Sequence, residues 1–170
     1  GAGATLAGVQ SHVRPHGLAV GVDLAPRDSC TIGGMVATNA GGLRVLRFGP
    51  MRAQLRGIEA VLADGTVVSH LAGLVKDNTG YDYPSLLAGS EGTLAVVTTA
   101  RLRLVPRLRD TVTALAGVGG LDELHALTRR AVREVPGLVS AEFFTQAGLD
   151  ILVARAGLAP PLPGPAAAYL

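Results

Sequence analysis

The stretch Thr31-Ile32-Gly33-Gly34-Met35-Val36-Ala37-Thr38-Asn39-Ala40-Gly41-Gly42 decides how the chain is read. Two Gly-Gly pairs and several small residues let a backbone lie close against another surface. N–H groups left free in such a turn form a nest for anions. Thr31, Thr38 and Asn39 add side-chain hydrogen bonds. A diphosphate or the polar edge of a flat ring would fit here. A tight loop packed on a strand would account for the same glycines, and composition alone leaves both readings open.

Two further runs lie downstream. Gly89-Ser90-Glu91-Gly92-Thr93-Leu94 leads into the β-branched Ala95-Val96-Val97-Thr98. An acid between glycines at a strand entrance can accept from ligand hydroxyls, or cap a helix or pair with an arginine. Lys76-Asp77-Asn78-Thr79-Gly80-Tyr81-Asp82 mixes charge with turn formers and reads as a solvated connection.

The pattern around these runs predicts alternating short elements. Residues 5–13 form a helix with Thr5 as N-cap and Leu6, Val9 and Val13 on one face; Pro15 and Gly17 end it. Strands are expected at 18–22, 55–62, 66–70, 94–98 and 101–105, with Asp64-Gly65 as a hairpin turn. Residues 25–34 are turn-rich, 34–42 a short helix or tight loop, and 71–92 mostly loop and short helix. After Pro106 a fresh pattern starts: a strand at 111–115, a helix at 121–135 and a strand at 138–144. The helix places Leu121, Leu124, Leu127, Ala131 and Val135 on one face, with acids in its first turn and arginines in its last. The Pro-rich end reads as a linker cut off as a new element starts.

Composition bounds the function. The 170 residues are 48% hydrophobic and 16% charged, so the chain folds rather than staying disordered. The net charge is +2, and Lys76 is the only lysine. The arginines at 44, 47, 52 and 56 are spread among glycines and apolar residues, with no nucleic-acid-binding signature around them. Cys30, the only cysteine, excludes an internal disulfide and a cysteine-based zinc site. No segment has the length and apolarity of a membrane span, and no signal peptide pattern opens the chain. A cytoplasmic protein is the expectation. The N-terminus lacks Met and opens mid-pattern, so the chain reads as a piece of a longer protein.

Several familiar sites are absent. Gly1-x-Gly3 is followed by Leu6, not by the third glycine of a dinucleotide fingerprint. Lys76 follows Val75 and belongs to no phosphate-binding P-loop. His12 and His16 have helical ligand spacing, but Pro15 breaks the helix such a pair needs, so no metal site is expected. Ser90 is not in a nucleophile elbow.

Taken in order, APRDSCTIGGMVATNAGG (25–42), LRFG (46–49), IEAVLADGTVV (58–68) and LVKDNTGYDYPSLLAGSEGTLAVVTTARLRLVP (74–106) resemble the FAD-linked D-lactate dehydrogenases, glycolate oxidase flavin subunits and D-2-hydroxyglutarate dehydrogenases. These belong to the vanillyl-alcohol oxidase and p-cresol methylhydroxylase superfamily. The resemblance runs from Gly1 to Pro106 and more faintly to Asp150. It implies an α+β fold: the second part of a p-cresol methylhydroxylase-type FAD-binding domain over 1–106, then the start of a substrate domain over 107–170. It implies FAD, held without a covalent bond. The cofactor-binding residues it implies are Ala25, Pro26, Asp28, Ser29, Thr31, Gly33, Gly34, Thr38, Asn39, Gly41 and Gly42, with Glu91, Gly92, Thr93, Leu94, Val96 and Val97 running along the cofactor. Phe48-Gly49 stands where the family more often has Tyr-Gly.

Two departures limit this. No counterpart of the family's N-terminal diphosphate loop is present, and the late histidines and acid that act on the hydroxy acid, often around a metal, are not on this chain. No catalytic residue is assigned. The implied partners are a small 2-hydroxy acid and an external electron acceptor; a homo-oligomer or a multi-subunit complex is left open. The rival readings are an alkylglycerone-phosphate synthase-like or other flavoenzyme of the same fold, and an inert truncation that does not hold FAD.

Overall fold

The computed structural model describes residues 1–170, which divide into two compact units, Gly1–Arg109 and Asp110–Leu170. Both are α+β, with antiparallel strand pairing throughout the named sheets.

In the first unit α1 spans Leu6–Val13. Thr5 starts it: its Oγ1 accepts from Gly8 N at 3.1 Å, and Leu6 and Val13 turn inward. A 3₁₀ turn, Arg14–His16, follows, and Gly17 in the left-handed region redirects the chain into β1, Leu18–Val20. β1 is shorter than its pattern predicts because the chain bends at Gly21. Next come α2 (Ile32–Ala37), α3 (Val45–Phe48) and α4 (Met51–Gln54). Thr31 caps α2, so the helix begins two residues earlier than the predicted 34–42 element.

β2 (Leu55–Leu62) matches its expected bounds and is central, flanked by β3 (Val67–His70) and β4 (Ala95–Leu102). Thr66 N donates to Asp64 Oδ1 at 2.9 Å, locking the hairpin turn. Ile58 and Ala60 of β2 are fully buried. α5 (Tyr83–Leu87) lies in the connection to β4, and β5 (Leu104–Pro106) pairs back on β1. The predicted strands 94–98 and 101–105 are one strand and a short second one: residues 99–100 continue the ladder opposite Glu59 and Ile58. A single apolar core joins α1, α2, α4, β2 and the start of β4 through Leu6, Val20, Ile32, Met35, Val36, Met51, Ile58 and Leu87.

The second unit differs from expectation more. It contains β6 (Gly117–Val118), α6 (Leu121–Glu134), β7 (Phe144–Thr145), α7 (Gln146–Ala156) and β8 (Ala168–Tyr169), with sheet order β6-β8-β7. The predicted strand 111–115 is irregular; Val112 is 95% exposed, and no strand pairs with this segment. The predicted strand 138–144 shrinks to its last residue and Thr145. The Pro-rich stretch is irregular, as expected, and the element that starts after it is the central strand, with Tyr169 buried, stacked on Phe144 at 5.2 Å and hydrogen-bonded through its hydroxyl to Gln146. Of the predicted α6 face only Leu124 is buried; Leu121 is 66% exposed.

Candidate functional site

The first unit is held together by backbone hydrogen bonds among its glycine-rich segments. Gly89 N donates to Val36 O at 3.0 Å and Glu91 N to Ala37 O at 2.9 Å. The 88–93 turn therefore docks on the last carbonyls of α2, of which that of Val36 also accepts from Asn39 N. Its backbone is left-handed at Gly89, Glu91 and Gly92. Asn39, itself left-handed, accepts from Arg52 N through Oδ1 at 2.9 Å, and the Arg52 guanidinium donates to Ala88 O at 2.5 Å. Met51 N donates to Ala40 O at 2.8 Å. The structure thus brings the Thr38–Gly42 loop, the start of α4 and the 88–94 turn together.

A second junction joins the Ala25–Ser29 turn to Gly41-Gly42. Asp23 bridges to Gly42 along the backbone and ion-pairs with Arg27 at 3.3 Å and Arg44 at 3.1 Å. Gly42 has φ +74°, and a Cβ there would run into the Asp23 carbonyl. Only glycine permits this approach. Asp23, Arg44 and Arg52 escaped the sequence reading; the Asp23/Arg27 spacing of four was the one visible signal.

The amides at the start of α2 are already spent. Ile32 N donates to Ala4 O, Gly33 N to Ala2 O and Gly34 N to Thr31 Oγ1. The anion nest expected there is filled by the chain's own loop 1–5. A Cβ on Gly33 would meet the Ala2 methyl at 2.8 Å, so this glycine is packed closely against Ala2. At Gly41 the neighbour is the Val45 side chain, 2.6 Å from an added Cβ.

The remaining residues implied by the resemblance differ in exposure. Ala25, Pro26, Asp28, Ser29, Gly34, Thr38, Gly42, Glu91, Gly92, Thr93, Leu94 and Val96 are exposed; Val97 packs on the core. The Glu91 carboxylate and the Gly92 N–H have no partner within the chain. A Cβ on Gly92 would meet nothing within 4 Å. The donors and acceptors around 38–42 and 91–94, with so little side-chain bulk, fit a flat polar cofactor such as FAD. The Ile32, Gly33 and Gly34 amides at the start of α2 all donate within the chain.

Known proteins show the same kinship. Residues 1–70 match the family model described as FAD binding domain. The mitochondrial D-2-hydroxyglutarate dehydrogenase of Bos taurus is 41% identical over 162 residues, which is 95% of this chain and 30% of that protein. Over most of its length the chain is similar to dehydrogenases of D-2-hydroxy acids. A D-lactate dehydrogenase of Archaeoglobus fulgidus is 39% identical over 152 residues, covering 89% of this chain and 34% of that protein. The chain spans about a third of the length of these relatives. A solved alkyldihydroxyacetonephosphate synthase matches 77% of the chain and 25% of its own, at TM-score 0.57 and 20% identity, a likeness of fold. No helix is long and apolar enough to cross a membrane.

Proposed function

We propose that residues 1–109 form part of the FAD seat of an oxidoreductase acting on a D-2-hydroxy acid. The observation that carries this is the convergence of the 38–42 loop and the 88–94 turn at the end of α2. In this reading the Gly92 N–H donates to the cofactor and the Glu91 carboxylate accepts from its hydroxyls. Asn39 and Arg52 position the two loops without spending either group. Ala25–Ser29 and Gly41-Gly42, clamped by Asp23, form the other rim. When bound, FAD supplies the hydride acceptor for the hydroxy acid's Cα. This chain's share is to seat and orient it; the base that takes the hydroxyl proton, any metal and the contact to an external electron acceptor are assigned to the remainder of the protein. Non-covalent attachment and a cytoplasmic location are part of the proposal, although similar proteins carry mitochondrial names.

The test is the visible spectrum of the full-length protein under anaerobic conditions, before and after D-2-hydroxyglutarate, D-lactate or glycolate. A flavin spectrum bleached by one of them supports the reading and names the substrate. A colourless protein that takes up no added FAD overturns it.

A further inference from the structure

A cleft of about 220 Å³ lies between the start of β2 and the 70–85 segment. It is lined by Arg52, Arg56, His70, Thr79, Tyr81 and Ser85, together with the carboxylates Asp77 and Asp82. Its charges are unequally committed. Asp77 accepts from Thr79 N at 2.9 Å through Oδ1 and faces His70 Nε2 at 3.0 Å through Oδ2. Asp82 accepts from Ser85 N at 3.1 Å, capping α5. Hydrogen bonds to Ser85 hold its carboxyl below the usual range, and Arg52 contributes least among the causes. Both acids are thus occupied by local partners. The arginines are not: Arg52 donates to Ala88 O and Arg56 to Leu55 O at 2.9 Å, both neutral carbonyls, and neither makes an ion pair. A guanidinium has five N–H donors in a fork that matches a carboxylate.

We propose that this cleft binds a small organic acid, its carboxylate held by Arg56 and Arg52 and its polar remainder by the hydroxyls of Ser85, Thr79 and Tyr81. The volume decides the size class. Pockets for drug-sized ligands hold about 300–1,000 Å³, and this cleft is smaller. A water takes about 30 Å³ of liquid volume, so a short-chain acid and a few waters fill it. The acid is either the oxidised substrate or a separate effector; the chemistry of recognition is shared.

The experiment is calorimetric titration of the full-length protein with succinate, with succinamide as neutral control. Saturable succinate binding is expected, with none for succinamide. Arg56→Gln should weaken it about tenfold, the scale of one charge-assisted contact, and Arg56→Lys should recover part of the loss. Flavin content and the unfolding midpoint of each variant are measured alongside. Absence of saturable binding, or equal affinity in a folded Arg56→Gln protein, overturns the proposal. A tenfold rise in KM for the 2-hydroxy acid in Arg56→Gln, with kcat unchanged, marks the bound acid as substrate; an unchanged KM with weakened succinate binding marks an effector. The titration is repeated on protein stripped of FAD, so a failure of the flavin reading leaves this test intact.

Discussion

The two units show what separates a closed core from an open one. In Gly1–Arg109 thirteen buried residues form one cluster that draws on helices and a central strand. In Asp110–Leu170 the corresponding cluster has three: Val118, Leu124 and Ala168. The difference does not come from a lack of apolar residues. Phe143, Ile151, Leu152 and Leu158 of the second unit are all more than half exposed. Its strands are two residues long and leave too little sheet for α6 and α7 to cover. Amphipathic sequence becomes core only where a partner surface exists.

The sharpest way to break the first unit is at a junction rather than in the core. Gly42→Val puts a β-branched residue at φ +74° and drives its Cβ into the Asp23 carbonyl. Strain and overpacking together should cost about 3 kcal/mol or more. Urea unfolding should show it, and the full-length protein should lose flavin. Gly33→Val should also destabilise, through Ala2.

Next in size is a matched pair of truncations. Ile58→Ala empties a fully buried site in the larger cluster and should cost about 3–4 kcal/mol. Leu124→Ala touches only a small cluster that can collapse around the gap, and should cost about 1–2 kcal/mol. Equal losses in urea denaturation would mean that the second unit's core is as well packed as the first's.

Legibility in the sequence follows the same division. β2, the Asp64-Gly65 turn and α1 were readable because each carries its own signal: a full strand pattern, a turn dipeptide and a threonine cap. α6 was readable from periodicity and charge placement, but its buried face was not, because burial depends on what packs against it. α7 was missed despite the Thr145 cap and Gly157 in the left-handed region at its end. The loops of the candidate site were legible as glycine-rich runs. That the α2 amides would be claimed by residues 1–5 was not, since nothing local links Ala2 to Gly33.

A pH effect separates local caps from core packing. Asp82 is held below its ordinary value chiefly by its hydrogen bonds to Ser85. A carboxylate with a depressed folded value stabilises above its unfolded value, near 3.8, and that contribution disappears as pH falls through the folded value. Asp82→Asn keeps a capping oxygen but does not titrate, so urea midpoints measured from pH 5 down should fall less steeply than in wild type. Asp82→Ala should cost about 1 kcal/mol at neutral pH. Identical acid profiles for wild type and Asp82→Asn would show that this cap carries none of the pH dependence.

The smallest expected effect improves the weaker unit. Gly120 is the N-cap of α6 and offers no side-chain oxygen, while Glu123 in the first turn already reaches back to accept from Gly119 N at 2.6 Å. This is one arm of a capping-box-like arrangement shifted by one residue, since the amide taken is that of Gly119 and not of the N-cap. Gly120 has extended backbone, and a Cβ there meets nothing within 4 Å. Gly120→Ser should therefore supply an acceptor for Glu123 N and stabilise the unit by a few tenths of a kcal/mol. Amide exchange is the measurement, because a gain this small is visible in local opening before it is visible in global unfolding. Slower exchange confined to the first turn of α6 is the expected result. Slower exchange spread across β6 and β8 as well would mean that α6 limits the cooperativity of the whole second unit, and that its open core is set by a frayed helix end as much as by its short strands.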